Sequence, residues 1–246
     1  VEQEHHPGDV APRQRLEALE PGDRFPFRTQ QQQGRFGARG HRPGVRDAAA
    51  RGGGLARRSG GSDRRELDLA TAVARTAFSD GTAGVRREAF VSYADKLLIV
   101  RLSMPAPGGP AVSLRFTSQL RHQSSIAGNG DLLLSGRAPV HAEPNYRREI
   151  KAPFLYDEGP NPKGTRFAAR ARVLSTDGRV GRRPDAMTIE GATTVLLAVA
   201  IDTSFAGFDK EPAEGPDPVR STLARLDAAA GRSFDSLLAA HTADVG

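Results

Sequence analysis

The sequence predicts a mainly β fold, an antiparallel β-sandwich followed by a short helical segment. Three observations carry this expectation. Apolar and polar residues alternate with a period of two in one short stretch after another. Turn signals built on Gly, Pro and Asp separate those stretches. Sustained helical periodicity appears only after Asp217. Many short strands with almost no helix between them pack as layered sheets.

Residues 1–63 stand apart from this pattern. Gln30 to Gln33, Gly52 to Gly54, Arg57-Arg58 and Gly60-Gly61 sit among scattered apolar residues with neither strand nor helix period. Such a composition buries too little apolar surface to offset its ordering entropy. Only Gln14 to Leu19 reads as a brief helical turn. The segment is expected to be a disordered arm or the product of GC-rich coding sequence read out of frame, which yields Arg, Gly, Ala and Pro.

The β-domain is expected over residues 64–212. Val73 to Phe78 meets Val85 to Tyr93 across Ser79-Asp80-Gly81-Thr82, where Asp-Gly signals a hairpin. On the second strand Val85, Ala89, Val91 and Tyr93 share one face and Arg86, Glu88 and Ser92 the other, the reading of a half-buried strand. Leu97 to Ser103 follows, then a turn through Pro105 to Gly109. Beyond it Val112, Leu114 and Phe116 alternate with Ser113, Arg115 and Thr117. Asp131 to Ser135 is a further strand. Phe167, Ala169, Ala171 and Val173 alternate with Arg166, Arg170 and Arg172, whose charges mark the wet face of a sheet. Asp177-Gly178 turns the chain, Met187 to Gly191 leads back, and Thr193 to Ile201 is an unbroken apolar, buried strand. It empties into the polar and aromatic loop Asp202 to Pro212.

Residues 213–246 are expected to be helical. Asp217 is the N-cap and Pro218 the first helical residue, with Val219, Leu223 and Leu226 on one face and Gly231 as the stop. Ser233 starts a second helix on which Phe234, Leu237, Leu238 and His241 recur at helical spacing.

The chain's 246 residues suit one large β-domain or two small ones. Its apolar content of 38% and aromatic content of 6% are low, in line with a segment that adds nothing to a core. A net charge of +6 raises the question of a polyanion partner, but the cations are dispersed Arg, as GC-rich coding and solvated sheet faces produce. The chain has no cysteine, which excludes disulfides, thiolate metal sites and thiol catalysis without assigning a compartment. No apolar run is long enough for a membrane span, and Val1 opens the chain without a signal-like region.

Four segments carry a family resemblance: Arg64-Arg65-Glu66-Leu67-Asp68-Leu69, Tyr93 to Leu102, Ser135 to Tyr146, and the loop after Ile201 with Gly207-Phe208-Asp209-Lys210. In this order and spacing they resemble the N-terminal β-domain of glycoside hydrolase family 95, mostly α-L-fucosidases, over about Asp63 to Val245. The resemblance implies a bacterial parent that hydrolyses α-L-fucosyl or related α-galactosyl linkages, secreted or periplasmic, with no redox cofactor and no suggested metal. It also implies that the helical pair begins a linker to an (α/α)6 catalytic barrel that this chain lacks. Family members carry a Trp-containing segment near the start, and this chain has no Trp.

No catalytic residue is therefore assigned. The acidic pairs Asp157-Glu158 and Asp209 with Glu211 sit near Gly and Pro and read as surface carboxylates. Two clusters are singled out as a possible interface with the barrel or wall of its pocket. One is Phe208, Asp209 and Lys210, for which the plainer reading packs Phe205 and Phe208 beneath the loop. The other is Arg137, His141 and Tyr146 on a Pro-rich loop, a cation, an imidazole and a phenol suited to sugar hydroxyls. For His141 the plainer reading is a hydrogen-bonded structural residue. His122 has no acidic partner in sequence, and no phosphate loop, nucleophile elbow, zinc spacing or calcium loop is present. Two other readings stay open. A stand-alone carbohydrate-binding sandwich would draw its aromatic platform from only Tyr93, Tyr146 and Tyr156. A nucleic-acid-binding protein would use residues 1–63 as a basic arm.

Overall fold

A computed structural model of the chain describes residues 62–79, 84–105, 110–144, 146 and 151–245. The expected arm, except Ser62 and Asp63, lies outside the described residues, as do the tip of the first hairpin and most of the Pro105 to Gly109 turn. The strands are β1 (Ser62–Asp68), β2 (Val73–Ser79), β3 (Gly84–Ser92), β4 (Leu97–Ser103), β5 (Val112–Arg115), β6 (His122–Ile126) and β7 (Leu132–Arg137). They continue with β8 (His141–Ala142), β9 (Phe154–Leu155), β10 (Arg166–Thr176), β11 (Arg179–Arg183), β12 (Ala186–Glu190) and β13 (Thr194–Thr203). A one-turn 3-10 helix at Pro212–Glu214 precedes α1 (Pro218–Ala228) and α2 (Phe234–Val245). The chain is an antiparallel β-sandwich with a helical end.

Eight strands form the large sheet in the order β1-β2-β3-β4-β13-β10-β7-β6, and β11-β12-β5 form a smaller sheet. A two-stranded ribbon, β8-β9, projects beside them. The chain changes sheets at the end of β10, where the register slips between Val173 and Ser175 before the Asp177-Gly178 turn delivers β11 to the small sheet. Such a bulge bends and twists a strand at a sandwich corner. The outer strands carry Asp63, Arg64, Arg65 and Glu66 on β1 and His122, Gln123, Ser124 and Ser125 on β6, polar edges that discourage pairing with another chain.

The large sheet is covered on both faces. Val100, Leu102, Val195 and Leu197 pack with Val112 and Ile189 of the small sheet. Leu97, Ile99, Leu196, Ala198 and Ala200 pack under Leu226, Phe234 and Leu237 of the helices. This is why β13 reads as an unbroken apolar run: alternate residues serve two cores. Leu226 and Leu237 are fully buried, and each contributes about 1.5–3 kcal/mol by leaving water.

The helical covering corrects the reading of β3. Val91 and Tyr93 are 67% and 68% exposed, whereas Glu88 and Ser92 are buried with Phe90. Phe90 meets the Phe234 ring edge-on and stacks on His241, so the face expected to be wet lies under α2. The small sheet reaches Val85 and Ala89 on the other face but not Val91.

The arginines of β10 are likewise not a wet face. Arg170 is 4% exposed and Arg172 is partly buried. Buried Asp131 accepts two hydrogen bonds from Arg172, both 2.8 Å, and lies 3.4 Å from Arg170. Arg172 then reaches Asp227 of α1 at 2.8 Å. On the other side Arg101 pairs with buried Glu88 and approaches Asp235 of α2, and Arg232 before α2 pairs with Asp95. These ion pairs sew the helices to the sheet, and removing one partner would strand a charge out of water. Hydrogen bonds to Asp131, opposed by burial and joined by Asp227, hold the Arg172 guanidinium above its ordinary range. Burial alone would raise the Glu88 carboxyl, but Arg101, Arg86 and Arg75 outweigh it and hold it below the ordinary value.

The helix ends follow their sequence signals. The Asp217 side chain accepts from the Val219 N–H at 3.0 Å with Pro218 opening α1, and Gly231 has φ +74° between the helices. The Ser233 hydroxyl accepts from the Ser236 N–H at the start of α2. The inward face of α1 is Pro218, Thr222 and Leu226, with Val219 and Leu223 on its flanks. Among the described residues no helix is long and apolar enough to cross a membrane.

Candidate functional site

Strand register builds a concave site at one end of the large sheet. Arg166 opens β10 opposite Arg137, and the Arg137 N–H donates to the Arg121 carbonyl at 3.3 Å, so three arginines occupy neighbouring positions in one cross-strand row. Like charges in such a row repel unless each finds a partner. Arg121 pairs with Glu158 and lies over the Tyr156 ring, 4.0 Å from its centre. Arg137 donates to the carbonyls of Pro162 and Gly164, and Arg166 to that of Gly215 at 2.8 Å. These contacts draw the 156–164 loop and the segment before α1 together around an open cleft of about 720 Å³.

The walls are tightly specified. A Cβ on Gly215 would lie 1.7 Å from the Ser204 carbonyl oxygen, so only glycine lets this segment lie against the end of β13. Ser204 is itself fixed by exchange with Arg166: its N–H donates to the Arg166 carbonyl and its hydroxyl accepts from the Arg166 N–H, both at 2.9 Å. The Asp157 carboxylate accepts the N–H groups of Lys163 at 2.8 Å and Gly159 at 2.9 Å, which hold its carboxyl below its ordinary value of 3.8.

Of the six residues singled out as a barrel interface or pocket wall, only Arg137 lines this cleft; His122, Tyr156, Asp157 and Glu158, noted from sequence for other reasons, line it as well. His141 lies on the exposed ribbon with its Nε2 3.2 Å from Glu143, a hydrogen-bonded surface residue. Tyr146 is exposed beyond it. In the other cluster the expected packing of the aromatic rings is overturned: Phe208 is 99% exposed and Phe205 is also exposed. Gly207, at φ +130°, turns the backbone so that Phe208 points away from the sheet. Asp209 and Lys210 are exposed and form no ion pair with each other. The neighbouring Glu211 does join the cleft region, 3.9 Å from Lys163 and beside Arg137 and Arg166.

Sequence reasoning missed Arg121 and did not join Arg166, read as a wet-face residue, or Tyr156 and the surface carboxylates Asp157-Glu158 to Arg137. The spacing from Arg121 to Arg137 to Arg166 has no local period, and only strand pairing aligns them. Hydrolysis of a glycosidic bond uses one carboxyl kept protonated near neutral pH and a second group opposite it. Asp157 is shifted the other way, Glu158 is tied to Arg121, and Asp217 caps α1. Among the described residues no three His, Asp or Glu side chains gather as a metal site.

The family model for Glycosyl hydrolase family 65, N-terminal domain, matches residues 57–207. The chain is 30% identical over 192 residues to Alpha-L-fucosidase 2 of Arabidopsis thaliana, a match covering 74% of this chain and 22% of that protein. A human-microbiome protein assigned as a kojibiose phosphorylase shares the fold, with a TM-score of 0.51 at 12% identity over 74% of this chain and 22% of its own. The chain thus spans about a fifth of the length of each relative.

Proposed function

Because the chain belongs to the family of glycosyl hydrolase family 65 N-terminal domains, we propose that it is the non-catalytic β-domain of a longer glycoside hydrolase of family 95 type. The separate catalytic part, an (α/α)6 barrel, hydrolyses α-L-fucosyl linkages of glycans. The observation that carries the finer reading is the 30% identity to a protein named α-L-fucosidase, concentrated in a fifth of that protein's length. The cleft agrees with it, since Asp217 caps α1, Asp157 accepts loop amides and one oxygen of Glu158 pairs with Arg121, an arrangement unlike an acid and base poised across a sugar.

In this reading the domain buttresses the barrel. Phe208, Asp209 and Lys210 form a contact with it, because a fully exposed phenylalanine followed by two opposite charges is an anchor with a polar rim. His141 and Tyr146 on the projecting ribbon are a second contact. The nucleic-acid reading rests on residues 1–63, of which only Ser62 and Asp63 are described; outside that arm, the β10 and cleft arginines are engaged by carboxylates and backbone carbonyls.

The test is a chimera in which this chain replaces the matching segment of the Arabidopsis relative. The expected result is a folded enzyme that releases fucose, and loses at least about tenfold in domain affinity or activity on Phe208→Asp. A folded chimera indifferent to Phe208→Asp contradicts the contact, and one without activity although both parts fold contradicts the buttress.

A further inference from the structure

The cleft beside β6, β7 and β10 has a lining suited to a ligand of its own. It presents three guanidinium groups, Arg121, Arg137 and Arg166, and three carboxylates, Asp157, Glu158 and Asp217. The two sets balance, so an inorganic anion drawn to the arginines meets the carboxylates, and a cation meets the reverse. A neutral ligand rich in hydroxyls suits both sets, because one hydroxyl donates to a carboxylate while accepting from a guanidinium.

Bonding capacity remains at the rim. The exposed Gln123 side chain makes no hydrogen bond among the described residues, and so keeps two donors and an acceptor. His122 places its Nδ1 2.8 Å from the Leu120 carbonyl, which leaves Nε2 as an acceptor. Glu158 uses one carboxylate oxygen on Arg121 and has its other to offer. Tyr156 and Phe167 add aromatic surface to the lining. A volume of about 720 Å³ falls within the range of about 300–1,000 Å³ usual for small-ligand sites. Arg137, Arg166 and Asp157 are held by backbone partners, so little has to be ordered when a ligand enters.

We propose that this cleft binds a short neutral oligosaccharide, with Gln123 and Glu158 as hydroxyl partners and the Arg121-Tyr156 stack as a fixed wall. The inference stands on the cleft's own geometry and does not depend on which linkage the parent enzyme cleaves.

The whole chain is titrated with 2′-fucosyllactose, with maltotriose and with inorganic sulfate while its NMR spectrum is followed. The expected result is saturable binding of at least one oligosaccharide, moving the Gln123 amide and Tyr156 ring signals. Gln123→Ala and Glu158→Gln, both at exposed side chains, are each expected to weaken it at least about fivefold, while Arg183→Ala on the small sheet leaves it unchanged. Failure of both sugars to saturate overturns the proposal. So do binding of sulfate alone and binding indifferent to the two rim variants in chains whose spectra show them folded.

Discussion

At the scale of single residues, buried charge decides most. Asp131 is 2% exposed and holds both Arg170 and Arg172, so Asp131→Ala leaves two guanidinium groups without their carboxylate inside the fold. The expected loss is about 3–5 kcal/mol, read from the urea midpoint at unchanged slope. A loss under about 1 kcal/mol would mean that the pair is solvated. Gly215→Ala is expected to cost as much as a tight core clash, about 1–3 kcal/mol, because the new Cβ meets a backbone carbonyl that Arg166 and Ser204 keep in place. Wild-type stability in that variant would show that the segment lifts freely off the sheet.

At the scale of elements, the helical pair is the layer that completes the domain. Leu237→Ala in α2 empties a site packed against Phe90 and Leu97 and is expected to cost about 2–5 kcal/mol in thermal or urea unfolding. Independent melting of the helices, with the sheet unaffected, would contradict this. Most of the longer strands were legible in the sequence because period-two alternation and Gly-containing turns are local signals, and the cap at Asp217 and the stop at Gly231 were legible for the same reason, whereas β6, β11 and the order of strands within the sheets were not. The faces of β3 and β10 were not. Which side of a strand is dry depends on what is laid over it, and Glu88, Arg170 and Arg172 are buried by helices that come much later in the chain. The cleft was hidden likewise: Arg137 stood out by the loop that follows it, but its neighbours Arg121 and Arg166 are brought alongside only by strand pairing. Phe208 was visible as an unusual residue, yet its full exposure reflects the turn at Gly207 and the end of β13 rather than any pattern in the loop.

At the scale of the whole molecule, the shifted carboxylates all lean one way. Asp177, which gathers the hydroxyl and N–H of Thr193 and the N–H of Thr194, is lowered to about 2 from 3.8. Asp68, Asp157 and Glu88 are also held below their ordinary values, 3.8 for the aspartates and 4.5 for the glutamate. Each is more acidic folded than unfolded, so the unfolded chain binds more protons on acidification. Their contribution is fully present above about pH 4.5 and is lost as the pH falls through that value towards 2. The urea midpoint is therefore expected to hold steady from pH 7 to about 5 and to fall steeply below about 4.5. A midpoint that rises on acidification would contradict the assigned partners.

The proposal that this domain is a scaffold, with glycosidic bonds broken elsewhere in a longer protein, draws on the exposed Phe208 and on cleft carboxylates that cap a helix, accept loop amides and pair with Arg121. The most direct measurement is release of fucose from an aryl α-L-fucoside by the purified chain, with circular dichroism confirming a folded β protein. The account predicts a cooperative melt and no release above the uncatalysed rate. Turnover by the folded chain alone would contradict it.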